Sequence, residues 1–285
     1  MVHKKIPLFT PPKIKIHRPG NLEYQRTDAD TIFHYKWSQD DWEAYAPWGE
    51  DVILDSGPNL YHLPDQEGVH WEGDLDFGQS APSNLVKSMG MAQTAVPTTA
   101  ISYKMNDSEH NPAGPVTVAA DESFTFSSTF MMTSENLDPE GTGVVPIFIG
   151  NTTGINNAQF GLLYAYPFGL ISYLARTFEP HEVLYVLYPN AIRHLRVNRW
   201  HRIVNVWDRD SAALPKLLID HANVPGEIYP DEPSTVALFS DFGELVFGGA
   251  IWTNGYPALF GGSAASNMPV YYAETWMSKG IDFTP

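Results

Sequence analysis

Apolar positions along this chain recur at short intervals, and alternation by two is the dominant period. Phe124, Phe126, Ser128, Phe130 and Met132 alternate with Thr125, Ser127, Thr129 and Met131, which predicts a half-buried strand. Strands are predicted likewise over 144–149, 159–165, 169–175, 183–188, 191–197 and 200–207, then over 216–220, 236–239, 244–251 and 268–277. Upstream, Ile32, Phe33, Tyr35 and Trp37 lead into Trp42, Tyr45 and Trp48, where helix propensity is poor. A single short helical turn is predicted at 38–46, with Ser38 as its cap and Asp40 and Asp41 in its first turn. Asp55-Ser56-Gly57-Pro58-Asn59 reads as a turn, 60–63 as an apolar run, 64–68 as a loop and 69–77 as a strand closed by Gly78. The stretch 79–119, with Pro82, Pro97, Pro112 and Pro115, reads as a loop-rich insertion holding one strand near 100–105. About a dozen short strands and no amphipathic helix beyond two turns predict an all-β protein, a two-layer antiparallel β-sandwich.

Composition agrees with that pattern. The 22 Gly and 23 Pro among 285 residues leave little room for long helices. With 43% hydrophobic and 18% charged residues the chain is a folding one. It has no cysteine, which excludes disulfides, thiolate zinc sites and thiol nucleophiles. The net charge of −16 argues against nucleic-acid binding. That charge is unevenly spread: up to Arg26 six cations face one acid, Glu23, for +5, and the remainder carries −21. Pro7, Pro11, Pro12 and Pro19 among the cations favour an extended arm, whose docking residues would be Lys4, Lys5, Lys13, Lys15 and Arg18. The expected division is an arm over 1–30 and a sandwich over 31–285, with the insertion near 79–119. No apolar run nears the roughly 18 residues that span a bilayer, and no signal-peptide core is visible, so no membrane insertion is expected.

Several segments carry a family likeness, in order. His34-Tyr35-Lys36-Trp37, the Asp55 to Asn59 turn and Gly68-Val69-His70-Trp71-Glu72-Gly73-Asp74-Leu75-Asp76-Phe77 come first. Ser123-Phe124-Thr125-Phe126-Ser127, Arg199-Trp200-His201-Arg202-Ile203-Val204-Asn205-Val206-Trp207-Asp208 and Leu217-Leu218-Ile219-Asp220-His221 follow. Leu245-Val246-Phe247-Gly248 and Tyr272-Ala273-Glu274-Thr275-Trp276 close the series. Together they resemble the laminin-G-like branch of the concanavalin A-like jelly rolls, which implies the same sandwich. His221 departs from the pattern, standing where a Gly is common in an Asp-Gly turn.

The candidate chemistry is sparse. Glycoside hydrolases of this fold place carboxylates at alternate positions of one strand, and Glu72, Asp74 and Asp76 alternate in that way. A solvated outer face would show the same alternation, because Trp71, Gly73, Leu75 and Phe77 take the other side. The lyase set of Arg, Gln, His and Tyr has no matching block, so no enzyme is expected. No metal cofactor is expected either; calcium is the one left open, through Asp208, Asp210 and Ser211 or Asp28 and Asp30. His70, His201 and His221 read as surface or strand-edge residues. The cluster Arg193, His194, Arg196, Arg199, His201 and Arg202 reads either as a site for anions or acidic glycans or as an interface. Asn156, Asn157, Tyr164, Tyr166, Trp252, Asn254 and Tyr256 have the composition of a sugar site.

A basic arm before an acidic, lectin-like sandwich is a design common among bacteriophage tail-fibre, spike and capsid-decoration proteins, and a fold-level analogy only. The leading expectation is a non-catalytic virion structural or adhesion protein made in a host cytoplasm. It would be a homo-oligomer that contacts other virion proteins through the arm and binds cell-surface glycans. The alternatives are an extracellular carbohydrate-active enzyme (glycoside hydrolase or polysaccharide lyase) and a soluble calcium-dependent lectin.

Overall fold

The structure, a computed structural model, describes residues 25–37, 42–45, 50–64, 91–92, 101–104, 116–117, 122–132, 144–151, 158–165, 169–175, 183–196, 198–208, 214–229, 241–242, 244–247 and 270–281. The strands among them are β1 (Thr31–Tyr35), β2 (Trp42–Tyr45), β3 (Glu50–Ile53), β4 (Leu63–Pro64), β5 (Met91–Ala92), β6 (Ile101–Lys104) and β7 (Val116–Thr117). They continue with β8 (Phe124–Met132), β9 (Val144–Asn151), β10 (Ala158–Ala165), β11 (Gly169–Ala175), β12 (Val183–Tyr188) and β13 (Trp200–Trp207). The last are β14 (Lys216–Ile219), β15 (Ala222–Val224), β16 (Glu227–Tyr229), β17 (Asp241–Phe242), β18 (Glu244–Phe247) and β19 (Val270–Lys279). Among the described residues no helix is long and apolar enough to cross a membrane.

Two antiparallel sheets make the sandwich. The first runs β1-β19-β8-β13-β14-β15, with β5 also beside β19; the second runs β16-β12-β11-β10-β9-β18-β6. Chain-distant strands become neighbours in both, so the fold is closed by long connections rather than by hairpins alone. Phe33 and Tyr35 of β1, Phe124, Phe126 and Phe130 of β8, and Ile203 and Trp207 of β13 share one face by parity and are all buried. Asn205 lies on that same face, and its amide reaches the Tyr188 hydroxyl of β12 at 3.4 Å, which identifies the face as the one turned toward the second sheet. Tyr188 in turn donates to the Pro215 carbonyl at 2.9 Å, and Asn205 accepts the Trp207 indole N–H at 2.7 Å. A polar clip thereby spans the core with its groups paired, as burial demands.

Trp37 shows how the aromatic lead-in is used. Its φ of +43°, which costs an L-residue about 1–2 kcal/mol, swings the indole into the core just after β1. There it stacks on Tyr272 with centroids 5.0 Å apart and donates to Thr275 Oγ1 at 3.0 Å. The Asp55 turn is equally specific. The Asp55 carboxylate accepts the backbone N–H groups of His34 (2.7 Å), Gly57 (2.7 Å) and Tyr61 (2.9 Å), while Asn59 Nδ2 donates to the Ile32 carbonyl at 2.9 Å. That motif therefore ties β1 to the following turn. Burial pushes the Asp55 carboxyl above the ordinary carboxylate range, against the three N–H bonds that favour its ionised form.

Three local expectations are overturned. The segment expected to turn as a helix at 38–46 contains strand β2, paired with β3 from Trp42↔Ile53 to Tyr45↔Glu50. The ladder, together with the strand preference of Trp and Tyr, outweighs the cap signal. The strand expected at 191–197 is replaced by a 3-10 helix at Pro189–Arg193. Pro189 opens that helix without an N–H to lose, and Ala191 O accepts the N–H groups of His194 and Leu195. Finally β8 is buried at all nine positions rather than on one face. Its Thr and Ser side is buried as well; on that outer face residues 25–28 bond to the flanking strands, Gln25 to Glu274 of β19 and Thr27 and Asp28 to His34 and Thr31 of β1.

Candidate functional site: a cationic loop between β12 and β13

The link from β12 to β13 is held from below and left open above. Gly169 begins β11 at φ +99°, and a Cβ there would stand 2.4 Å from the Tyr188 carbonyl oxygen. Only glycine lets β11 pass so close to the start of the 3-10 helix. The buried Leu195 plugs the loop, and Asn198 at φ +56° donates its N–H to the Met132 carbonyl at 2.6 Å. His201, at the start of β13, supplies the third anchor. It is buried, not a surface or strand-edge residue, because its ring is used by the loop. The Arg196 N–H donates to His201 Nε2 at 2.9 Å, so the ring proton sits on Nδ1 and is donated to Asp220 Oδ2 at 2.8 Å.

Asp220 completes the support from the next hairpin. Its Oδ1 accepts the Arg202 N–H at 3.0 Å, and its own N–H goes to the Arg202 carbonyl. Asp220 (φ +49°) and His221 (φ +69°) form the two-residue loop joining β14 to β15, a type I′ turn by both angles. The turn expected at Asp220-His221 is thus present with His where Gly fits more easily. Burial alone would raise the Asp220 carboxyl, but the bond from His201, the Arg202 N–H and the charge of Arg199 bring it below the ordinary range.

Above these anchors Arg193, His194, Arg196, Asn198 and Arg199 are exposed, as is His221 on the turn. Among the described residues the side chains of Arg193, Arg196 and Arg199 make no hydrogen bond or ion pair. Arg202 separates from the cluster. It points to the outer face of the first sheet, where Nε donates to Thr129 Oγ1 at 3.0 Å and Nη2 pairs with Glu274 Oε2. Glu274 also takes His34 Nε2 at 2.9 Å and the Gln25 N–H, and His34 Nδ1 lies 2.7 Å from the Thr27 hydroxyl. On the same face the Trp276 indole N–H and the Ser127 hydroxyl, paired across β19 and β8, are buried with no hydrogen-bond partner among the described residues.

The other expected residues fall mostly outside what is described. Glu72, Asp74 and Asp76, the sugar-site residues Asn156, Asn157, Tyr166, Trp252, Asn254 and Tyr256, Asp210 and Ser211, and the arm residues Lys4, Lys5, Lys13, Lys15 and Arg18 lie outside the described residues. Tyr164 belongs to β10 opposite Leu170. Asp208 is half-buried, and Asp28 accepts from the Asp30 N–H at 3.0 Å. Among the described residues no group of three or more His, Asp or Glu is placed to hold a metal ion. The His34, Glu274 and Arg202 constellation was invisible to periodicity, since Glu274 lies 240 positions from His34 in the chain.

No protein-family model and no curated protein matches the sequence. Among solved structures, the chain is similar to the binding domain of Paraclostridial Mosquitocidal Protein 1, at 10% identity and TM-score 0.55 over 87% of this chain and 48% of that one. It is likewise similar to the botulinum neurotoxin serotype G binding domain, at 10% identity and TM-score 0.54 over 87% and 47%. The receptor-binding domain of botulinum neurotoxin mosaic serotype C/D aligns at 12% identity and TM-score 0.51 over 87% and 47%. The chain therefore spans about half the length of these structures. Such likeness defines a class by fold, the β-sandwich domain.

Proposed function

We propose that this chain is a non-catalytic receptor-binding module, a lectin-like sandwich that engages glycans. The observation that carries the reading is the sandwich itself, shared over 87% of the chain with domains described as binding or receptor-binding domains. A loop pinned at three points and open to solvent adds a presentation surface of the kind on which binding residues concentrate. In the finer form of the proposal the module belongs to a virion decoration, spike or tail-fibre protein, with the basic segment 1–30 as its dock. The acidic sandwich then stays soluble at high local density through its net charge.

A glycan array probed with the full chain, with and without chelator, tests the reading. Binding that survives chelator is expected; binding lost with chelator would identify a calcium-dependent lectin instead, and a blank array removes the glycan reading. Release of reducing ends from a polysaccharide panel, abolished by Glu72→Gln, would establish the enzyme alternative. Deleting 1–21 is expected to abolish attachment to particles while leaving glycan binding unchanged.

A further inference from the structure

We infer that the cationic loop 193–199, with the Asp220-His221 turn beside it, is the subsite for an acidic glycan, a sugar chain bearing carboxylate or sulfate groups. This rests on the receptor-binding reading and adds its ligand class. The argument begins with charge. Asp and Glu number 33 against 17 Lys and Arg, so an exposed arginine on this protein has acids in abundance to pair with. Other cations do so: Arg202 takes Glu274, and Lys279 lies 3.6 Å from Glu122. Arg193, Arg196 and Arg199 do not, among the described residues. Asp220, whose carboxylate feels the charge of Arg199, takes its hydrogen bonds from His201 and the Arg202 N–H instead. Among the described residues the three guanidinium groups keep their planar forks unfilled, the geometry that matches carboxylate and sulfate in two parallel bonds.

The backbone beneath them is already ordered by the Met132, His201 and Ala191 bonds, so a ligand does not have to order it. His194 and His221 add exposed ring donors at the rim. A polypeptide partner fits less well. Protein interfaces need an apolar centre, and the exposed large apolar residues among those described are Leu60 and Ile281. Ile281 follows the end of β19 that pairs with Phe124, whereas the loop sits where Trp200 pairs with Met131, at the other end of β8.

The test uses the full chain against immobilised heparin, polygalacturonate, dextran and poly-glutamate, alongside a triple variant with Arg193→Ser, Arg196→Ser and Arg199→Ser. Binding to heparin or polygalacturonate is expected, and which of the two binds separates sulfate from carboxylate. The triple variant is expected to lose on the order of tenfold or more in affinity, and raising salt from about 50 to about 200 mM is expected to weaken the native chain more than the variant. An unchanged melting temperature shows that the variant is folded. Binding to dextran alone, or equal affinity in the variant, overturns the inference while the receptor-binding reading stands. Tighter binding to poly-glutamate than to either acidic glycan overturns it in favour of an acidic polypeptide. Binding to no glycan overturns both.

Discussion

Arg199 and Arg202 stand three positions apart, and the fold treats them in opposite ways. Arg202 is drawn onto the outer face of the first sheet, where Glu274, Thr129 and His34 form a buried, hydrogen-bonded network. Arg199 is held in solvent by a loop that, among the described residues, is anchored through backbone N–H bonds and the buried Leu195. The lesson is that a run of like charges in sequence divides according to strand parity. Arg202 pairs across β13 and β8 with Thr129, which pairs with Glu274 of β19, so one row of the sheet sets three polar groups side by side. The arginines of the loop have no such row, and their charge remains available.

The largest effect that separates the two regions is expected from the buried one. Glu274→Ala leaves the Arg202 charge buried without its carboxylate, and a loss of about 3–5 kcal/mol in urea unfolding is expected. Replacing the pair together, Arg202→Met with Glu274→Leu, is expected to restore most of that loss; no restoration would mean the ion pair itself supplies the stability.

Gly169→Ala comes next. Its Cβ meets the Tyr188 oxygen and its φ is +99°, so about 1–3 kcal/mol of destabilisation is expected, with faster proteolysis at the cationic loop. Equal stability would show that β11 shifts freely away from the 3-10 helix.

The third contrast is with acid. Asp220 has a folded carboxyl below its ordinary value, so its stabilisation is present above about pH 3.9 and is lost as pH falls through the lower folded value. Asp55, shifted upward, acts with the opposite sign: it favours the fold below about pH 3.9, and that contribution is lost as pH rises through its folded value. Asp220→Asn is expected to flatten the acid limb of stability against pH, measured by urea unfolding between about pH 6 and pH 3. An unaltered limb would remove Asp220 from the acid response.

Smaller again, His221→Gly is expected to stabilise the type I′ turn by about 0.5–1 kcal/mol, read as a rise in melting temperature. Smallest of all is the exposed region: Arg193→Ser, Arg196→Ser and Arg199→Ser together are expected to change stability by no more than about 0.5 kcal/mol. A larger loss would show that the loop, like the buried network, serves the fold.

Much of the sandwich was legible beforehand. Strands were expected over 124–132, 169–175, 183–188 and 200–207, and β8, β11, β12 and β13 occupy those positions. They were readable because 124–132 alternates, the others are short runs rich in apolar residues, and Gly, Pro or polar loops bracket them. The Asp55 turn was equally plain, since Asp-Ser-Gly-Pro-Asn has bonding partners for its acid in its own turn as well as in β1. Where sequence reasoning failed, a distant partner decided. Trp42–Tyr45 became a strand through β3, β8 was buried on both of its faces, and His201 turned inward because Arg196 and Asp220 both claim its ring.

The candidate site divides along the same line. Its cations, its spacing and its position between two strands follow from the order of residues, because local propensity, turn chemistry and net charge are properties of neighbours in the chain. Which arginine is paired and which is free follows from the register of β8, β13 and β19 and from a glutamate far along the chain. Those contacts exist only once long loops have closed and strands have aligned, and sheet pairing is the step that brings such distant residues onto one face.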